Sequence, residues 1–381
     1  MKVLYIAHSA GLQGAGFALL NILKGITLNG IIPIVILPAK GDMYNEITKM
    51  GIKCYVMPYY MDIYPFLRNI RDYLLFIPKI IRYFRFYFLV KKKVKAIIKD
   101  ENIDVIHTNT GVIHWGSELA EELGIPHVWH IREMQDLDFG YKPIKSMAYF
   151  RKLCSKTNNH CIAITKSVFN HHILDPIKDS IIYDGVYPKN ILKKEISLKK
   201  DNYFLFVGTL TKAKGVFDAI SAFDEIANDY PELELWIAGH INTTVSEYLT
   251  KNVKNRNRIK LLGFRRDVYR LMSKAKALLV PSYFEGFGFI TAESMMNGCL
   301  VIGRDTAGTK EQFDNGYLSE NCEIGFRFNT QEELVKHMKF VIHAPNDVFS
   351  EILLAARRAS AKYTIENNVK QIVNLYLKIV E

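Results

Sequence analysis

Glu285 and Glu293 are separated by seven residues, Gly286 and Gly288 among them, just after an apolar run that ends at Pro281 and Ser282. An ionised carboxylate only accepts hydrogen bonds, so two of them around a turn suit a ligand rich in hydroxyl groups. The glycines let the backbone approach a ligand or take positive φ, and the amides of a helix starting near Phe289 would face outward, which suits an anion. Hydroxyls beside an anion read as a phosphate carrying a sugar. The plainer alternative, equally open on spacing alone, is that Glu293 complements a helix dipole and Glu285 is a solvated loop residue. A second glycine loop, 208–215, carries Lys212 and Lys214. A lysine beside helix-terminal amides is a cationic cradle for a diphosphate, and Lys214 is the expected phosphate ligand.

The elements that must position these groups alternate strand and helix. Short apolar runs at 275–280 and 203–207 have the character of strands buried on both faces of a parallel sheet. The second leads through its loop into a helix over about 216–227. Further strands are expected at 233–239, 260–264 and 300–303, the last followed by the loop Gly308-Thr309-Lys310-Glu311. An earlier series opens with a strand at 2–7, a loop holding Gly11, Gly14 and Gly16, and a helical pattern of Leu19, Leu20, Ile22, Leu23 and Ile26. That loop is not Gly-x-Gly-x-x-Gly, and the second strand, 31–37, lacks a ribose-binding acid at its tip, so a nicotinamide cofactor is disfavoured. Strands at 105–109 and 127–133 end in polar groups, where open α/β sheets bind ligands. His130, at such a tip, reads without further context as a structural hydrogen-bonder, and Arg132 and Glu133 either pair with each other or line an acceptor. Residues 161–167 read as the last strand of a first domain, 189–202 as an exposed linker, and 365–380 as a final helix.

At 381 residues, with 49% hydrophobic and 23% charged, the chain is an ordinary globular protein long enough for two cores. Its five scattered cysteines form no Cys-x-x-Cys pair, which speaks against a disulfide framework or zinc site and fits a reducing cytoplasm. The start of the chain is too short in apolar residues for a signal-peptide core, and no apolar run reaches the ~18 residues of a membrane span. Of the net charge of +11, most lies in 55–99, where ten Lys or Arg face two Asp, a local excess of eight. Tyr83, Phe84, Phe86, Tyr87 and Phe88 are interleaved with these cations. The segment reads either as a basic amphipathic helix at an anionic membrane surface, through 79–95, or as a core helix with a solvated basic edge. Nucleic acid is a poorer fit, since no recognisable nucleic-acid module accompanies the charge.

The pattern Pro-Ser-x-x-Glu-Gly-Phe-Gly with Glu293 resembles the signature of the family 4 retaining glycosyltransferases. Val207-Gly208-Thr209-Leu210 with Lys214-Gly215, 235–239, Leu261-Leu262-Gly263-Phe264 and Gly308-Thr309-Lys310-Glu311 follow in that family's order. The resemblance covers nearly the whole chain and implies the GT-B fold: two facing Rossmann-like α/β domains, with a C-terminal helix crossing back to the first. It places an acceptor-side domain at 1–184, completed by 363–381, and a nucleotide-sugar-binding domain at 185–362. It implies retaining transfer of a sugar from a nucleotide-sugar to a hydroxyl of a glycan or polyprenyl-linked glycan, as in bacterial surface-polysaccharide assembly. His130, Glu285 and Lys214 are the implied catalytic residues. The donor would be bound by Gly14, Ala15, Thr209, Lys212, Lys214, Phe264, Arg265, Glu285, Gly286, Phe287, Gly288, Phe289 and Glu293. Glu293 would accept from the ribose and Glu285 from the transferred sugar, while His130 would orient that sugar. No Asp-x-Asp pair stands in a suitable loop, so neither a metal nor another cofactor is expected, and Lys214 with the loop amides must stabilise the diphosphate. Two positions depart from the family, which commonly has Arg at Thr209 and Asn at Asp184. A cytoplasmic place, peripheral at the inner membrane face, is expected. Competing readings are a nucleotide-sugar 2-epimerase of the same fold and a non-catalytic partner subunit.

Overall fold

The structure, a computed structural model, describes residues 1–380 apart from 13, 66, 68 and 69. Arg68, one of the ten cations counted above, lies outside the described residues. The chain divides into two compact units, Met1–Gly185 with Ile365–Glu381, and Val186–Thr364.

The first unit holds β1 (Lys2–Ile6), β2 (Ile32–Leu37), β3 (Lys53–Val56), β4 (Ile63–Pro65), β5 (Val105–Thr108), β6 (His127–Ile131), β7 (Tyr141–Pro143), β8 (Asn159–Ala163) and β9 (Ser180–Ile181). Seven of them form a parallel sheet ordered β3-β2-β1-β5-β6-β8-β9, while β4 and β7 pair antiparallel apart from it. β1 is apolar on both faces because both are covered. Val3 and Tyr5 pack with Leu19, Leu23 and Ile26 of the helix Ala15–Ile26, and Leu4 and Ile6 pack with Val90, Val94 and Trp115 on the other side. The expected last strand is β8, and β9 follows it at the sheet edge. A two-residue strand has no periodicity to read.

The helix Ile365–Val380 belongs to this first unit, as expected. Its Val369, Ile372, Leu375 and Tyr376 join the core beside Leu23 and Ile26. The approach is close: a Cβ on Gly25 would stand 2.6 Å from Val369 Cγ2.

The basic segment folds as one helix, Ile70–Glu101, whose halves differ. Tyr83, Tyr87, Val90, Val94 and Ile98 are buried in the core, and Lys91 is ion-paired with Glu118 (3.1 Å) and Glu122 (2.6 Å). The core-helix reading therefore holds for the second half. The first half exposes Ile70, Leu74, Ile77, Ile81, Phe84 and Phe88, spaced 4-3-4-3-4 along one face.

The second unit holds β10 (Tyr203–Val207), β11 (Glu234–Ala238), β12 (Ile259–Gly263), β13 (Ala277–Val280), β14 (Val301–Arg304) and β15 (Phe326–Phe328), parallel and ordered β12-β11-β10-β13-β14-β15. Residues 189–202 are less free than a linker. Lys189–Lys193 form a 3-10 turn with Ile191 buried, and the Lys194 carbonyl accepts from Arg357. In both sheets the strand order reverses direction once, between β1 and β5 and between β10 and β13. Ligands of open α/β sheets bind at the carboxyl ends of strands beside such a reversal.

Candidate active site

In the second unit the loops after β10 and β13 meet at the reversal. Gly215, at φ 71°, precedes the helix Val216–Ala227, and a Cβ there would fall 2.2 Å from the Pro281 carbonyl oxygen. Tyr283 N donates to the Ala213 carbonyl at 2.9 Å, which ties the loops side by side. Lys214 Nζ and Glu285 Oε2 are thereby brought to 2.8 Å, a charge-assisted contact between two residues distant in sequence. A third loop supports them from behind. Gly308 N donates to the Glu285 carbonyl at 3.0 Å, and Gln312 Nε2 donates to the Phe287 and Gly288 carbonyls at 2.6 and 3.0 Å.

Glu293 lies in the helix Phe289–Met296, which Gly288 opens at φ 85°. Its side chain is half-buried and its carboxyl is desolvated, which pushes it up to about 7. Its carboxylate has no hydrogen-bond partner among the described residues and is an open acceptor for hydroxyls. Thr209 and Lys212 stand exposed on the first loop. Phe264 exposes its ring and stacks on His240, centroids 5.0 Å apart and planes 10° off parallel, a flat platform of the kind a base uses. Arg265 is committed to Asp267 of its own loop through two bonds of 2.8 and 2.7 Å. The Phe287 side chain is buried against Phe289 and Tyr363, so this position has only its backbone to offer a ligand.

In the first unit a buried network gathers at the other reversal. Arg132 bonds Asp184, donates from Nε to the Asn109 carbonyl at 3.1 Å, and donates from Nη2 to Asn109 Oδ1 at 3.1 Å and His130 Nδ1 at 3.2 Å. A guanidinium has no acceptor, so His130 Nδ1 must accept, and the neutral ring carries its proton on Nε2. Burial, with the charge of Arg132 and the neighbouring His107, holds His130 well below the usual histidine range. The ring is thus a fixed hydrogen-bond donor rather than a proton shuttle. Its Nε2 has no partner among the described residues, with Asp184 Oδ1 too far at 3.9 Å. Leaving a buried donor unmet costs about 1–3 kcal/mol, which argues for a ligand acceptor there. Asn109 Nδ2 also holds the Ala15 carbonyl at 2.9 Å, so the Gly14 and Ala15 loop is fastened to the same network. Behind it, His107 Nδ1 meets the Tyr376 hydroxyl at 2.5 Å, and Tyr376 donates to Tyr5 at 3.0 Å.

The structure therefore gathers Lys214 with Glu285, and His130 with Ala15, each pair within its own unit. Sequence reasoning left Asn109 and Asp184 without roles. The signal for Asn109 was its place at a polar strand tip; for Asp184 it was the departure from the family's Asn, which here puts a carboxylate against Arg132.

A family model described as glycosyl transferases group 1 matches residues 189–362. The match spans nearly all of the second unit. An uncharacterized glycosyltransferase of Methanocaldococcus jannaschii is 31% identical over 231 residues, 58% of this chain and 62% of that protein. A Campylobacter jejuni enzyme named N-acetylgalactosamine-N,N'-diacetylbacillosaminyl-diphospho-undecaprenol 4-alpha-N-acetylgalactosaminyltransferase is 32% identical over 158 residues, 40% of this chain and 42% of that protein. The chain thus aligns with less than two thirds of either relative's length. Among solved structures, Anabaena HepE in complex with UDP superposes with a TM-score of 0.75 at 18% identity, over 98% of this chain and 99% of that one. The expected GT-B fold is borne out, and the comparisons agree with the expected glycosyltransferase family and enzyme class.

Proposed function

We propose that the chain moves a sugar from a nucleotide-sugar to a hydroxyl of a lipid-linked glycan, with retention at the anomeric carbon and without a metal. The observation that carries this reading is the Lys214–Glu285 pair at 2.8 Å at the reversal of the second sheet, backed by the half-buried Glu293. A donor's diphosphate competes for Lys214, which frees Glu285 to accept from the transferred sugar, while Glu293 accepts from the ribose and Phe264 faces the base. The cation and the loop amides then stabilise the departing diphosphate in place of a metal. His130 presents its Nε2 proton to a sugar oxygen. The C1–O bond to the diphosphate breaks as the acceptor oxygen bonds C1 on the same face, and the acceptor's proton passes to the departing phosphate oxygen. Support for the substrates is the UDP in the HepE complex and the diphospho-undecaprenol in the Campylobacter enzyme's name.

A bilayer-borne acceptor also accounts for the exposed apolar face from Ile70 to Phe88, whose spacing continues through the exposed Lys92 and Lys99, with the half-exposed Lys95 between them paired to Glu122 at 3.6 Å. Apolar side chains that enter the interface and lysines at headgroup level make a peripheral anchor on an anionic membrane. The bare apolar row favours an anchor nearer the start of the helix than 79–95, since Lys91 and Lys95 already pair with Glu118 and Glu122.

The test is to incubate the protein with a panel of nucleotide-sugars, with and without a diphospholipid-linked glycan, after EDTA dialysis, and to read the product's anomeric signal by NMR. An α-linked product from an α-linked donor supports the proposal. Inversion, a need for added metal, or conversion of the nucleotide-sugar without any acceptor, as a 2-epimerase would give, overturns it. Flotation with anionic liposomes tests the anchor: wild type should rise at low salt and an Ile77→Asp/Ile81→Asp variant should not. Wild type that stays at the bottom overturns it.

A further inference from the structure

The helix Ile70–Glu101 carries a second apolar row in its first half, turned toward the protein. Phe76, Ile80 and Tyr83, spaced 4-3, line a cavity of about 670 Å³ together with Ile63 and Tyr64. This is within the range of small-molecule sites. The cavity lies wholly in the first unit, in the layer that the antiparallel β4 and β7 add beside the parallel sheet.

Its surface is apolar in a particular way. The Tyr64 and Phe76 rings lie 4.9 Å apart, and Tyr83 spends its hydroxyl on Asp62, which also accepts from His114 N at 2.7 Å. The Tyr83 ring thus meets the cavity with its polar tip already satisfied. Lys79 and Arg82 are also in the lining, and neither has an ion pair among the described residues. Arg82 lies over the Tyr60 ring, its guanidinium carbon 5.0 Å from the centroid. Asp72 is the one carboxylate among the described lining residues. Two cations against one acid on an otherwise hydrocarbon and aromatic wall complement a molecule with an apolar body and an anionic head. A neutral hydrocarbon would leave the cations unused, and a free phosphate would leave the apolar wall wet.

We infer that this cavity is a discrete binding site for one lipid phosphate or diphosphate, its chain against Ile63, Tyr64, Phe76 and Ile80 and its head at Lys79 and Arg82. The site is separate from the outward anchor, because the two use different faces of one helix. It goes beyond the transfer reading and does not depend on it.

Isothermal titration of the whole chain tests it with farnesyl diphosphate, farnesol and inorganic pyrophosphate. Farnesyl diphosphate should bind once per chain, at least tenfold tighter than either fragment, and saturating UDP should not displace it. Ile80→Trp, which fills the cavity, and Lys79→Glu/Arg82→Glu, which reverses the head site, should each weaken it tenfold or more. Ile81→Asp, on the outward face, should leave it unchanged. Pyrophosphate binding as tightly as farnesyl diphosphate, displacement by UDP, or indifference to the charge reversal would each overturn the assignment. Should Ile80→Trp fail to fold by circular dichroism, the exposed Lys79 and Arg82 changes decide the outcome alone.

Discussion

The two sheet reversals hold opposite kinds of chemistry. In the second unit Lys214 and Glu285 are charged, sit on glycine loops and remain partly exposed, while the half-buried Glu293 stands in the helix that follows. In the first they are buried, and the charges of Arg132 and Asp184 are consumed internally to hold a neutral His130. The contrast teaches that one site is built to change partners when a charged ligand arrives, and the other to keep one geometry whatever arrives. An ion pair at a partly exposed surface is cheap to break, whereas a buried one leaves an uncompensated charge.

The largest expected effect breaks the rigid site. Asp184→Ala strands the Arg132 guanidinium in the interior and should cost about 3–5 kcal/mol of stability, as for one-sided removal of buried pairs. The double change with Arg132→Met should recover part of it. Urea unfolding checks both, and a single variant within 1 kcal/mol of wild type would show that the network carries little.

Next, Lys214→Ala removes the cation from the exchangeable site. It should lower kcat/KM by about 10²–10³, the scale of one lost donor to a developing anion, while stability changes little. Steady-state transfer kinetics within threefold of wild type would remove Lys214 from the mechanism.

A smaller effect sharpens the comparison through pH. Glu293 titrates near 7 because burial disfavours its charge, so below that pH it is protonated and gives up acceptor capacity. Hydroxyls that bind the carboxylate favour ionisation, so donor affinity should rise with pH and level off above 7, falling roughly tenfold per unit below it. The Glu293→Gln profile should be flat over pH 5.5–8. His130 stays neutral across the same range and should add no inflection. Nucleotide titration at several pH values reads both, and identical slopes in wild type and variant would refute the assignment.

The smallest effect restores the family's residue. Thr209→Arg adds a cation to the exposed loop and should tighten nucleotide diphosphate binding severalfold, less than the loss from Lys214→Ala, since the new charge is solvated. Weaker binding would mean that the loop has no room for it.

The strand–loop–helix units of the second unit were legible in the sequence because each lies within about 25 consecutive residues. Tyr203–Val207 and Val216–Ala227 appear where periodicity and glycine placement put them. The roles of Phe287 and Arg265 were not. A phenylalanine in a glycine loop gives no local sign that Tyr363 will cover it, and Arg265 shows its bond to Asp267 only once the turn is formed. The long basic helix read as ambiguous for a physical reason: two apolar rows on different faces overlap in one composition, and only packing shows that one is covered and the other bare.

The sequence by itself determined the α/β alternation, the glycine loops with their acids and lysine, and the return of an apolar last helix. These rest on spacing along the chain, which strand and helix periods translate directly into faces and turns. Tertiary structure alone decided which distant groups meet. Lys214 reaches Glu285 because β10 and β13 are neighbours at the reversal, a pairing that depends on loop closure over more than sixty residues. His130 takes the Nε2–H tautomer because Arg132, aligned by Asn109 from one strand and Asp184 from beyond another, leaves its Nδ1 only the role of acceptor. Strand order and burial settle such matters, and neither is a property of any local stretch.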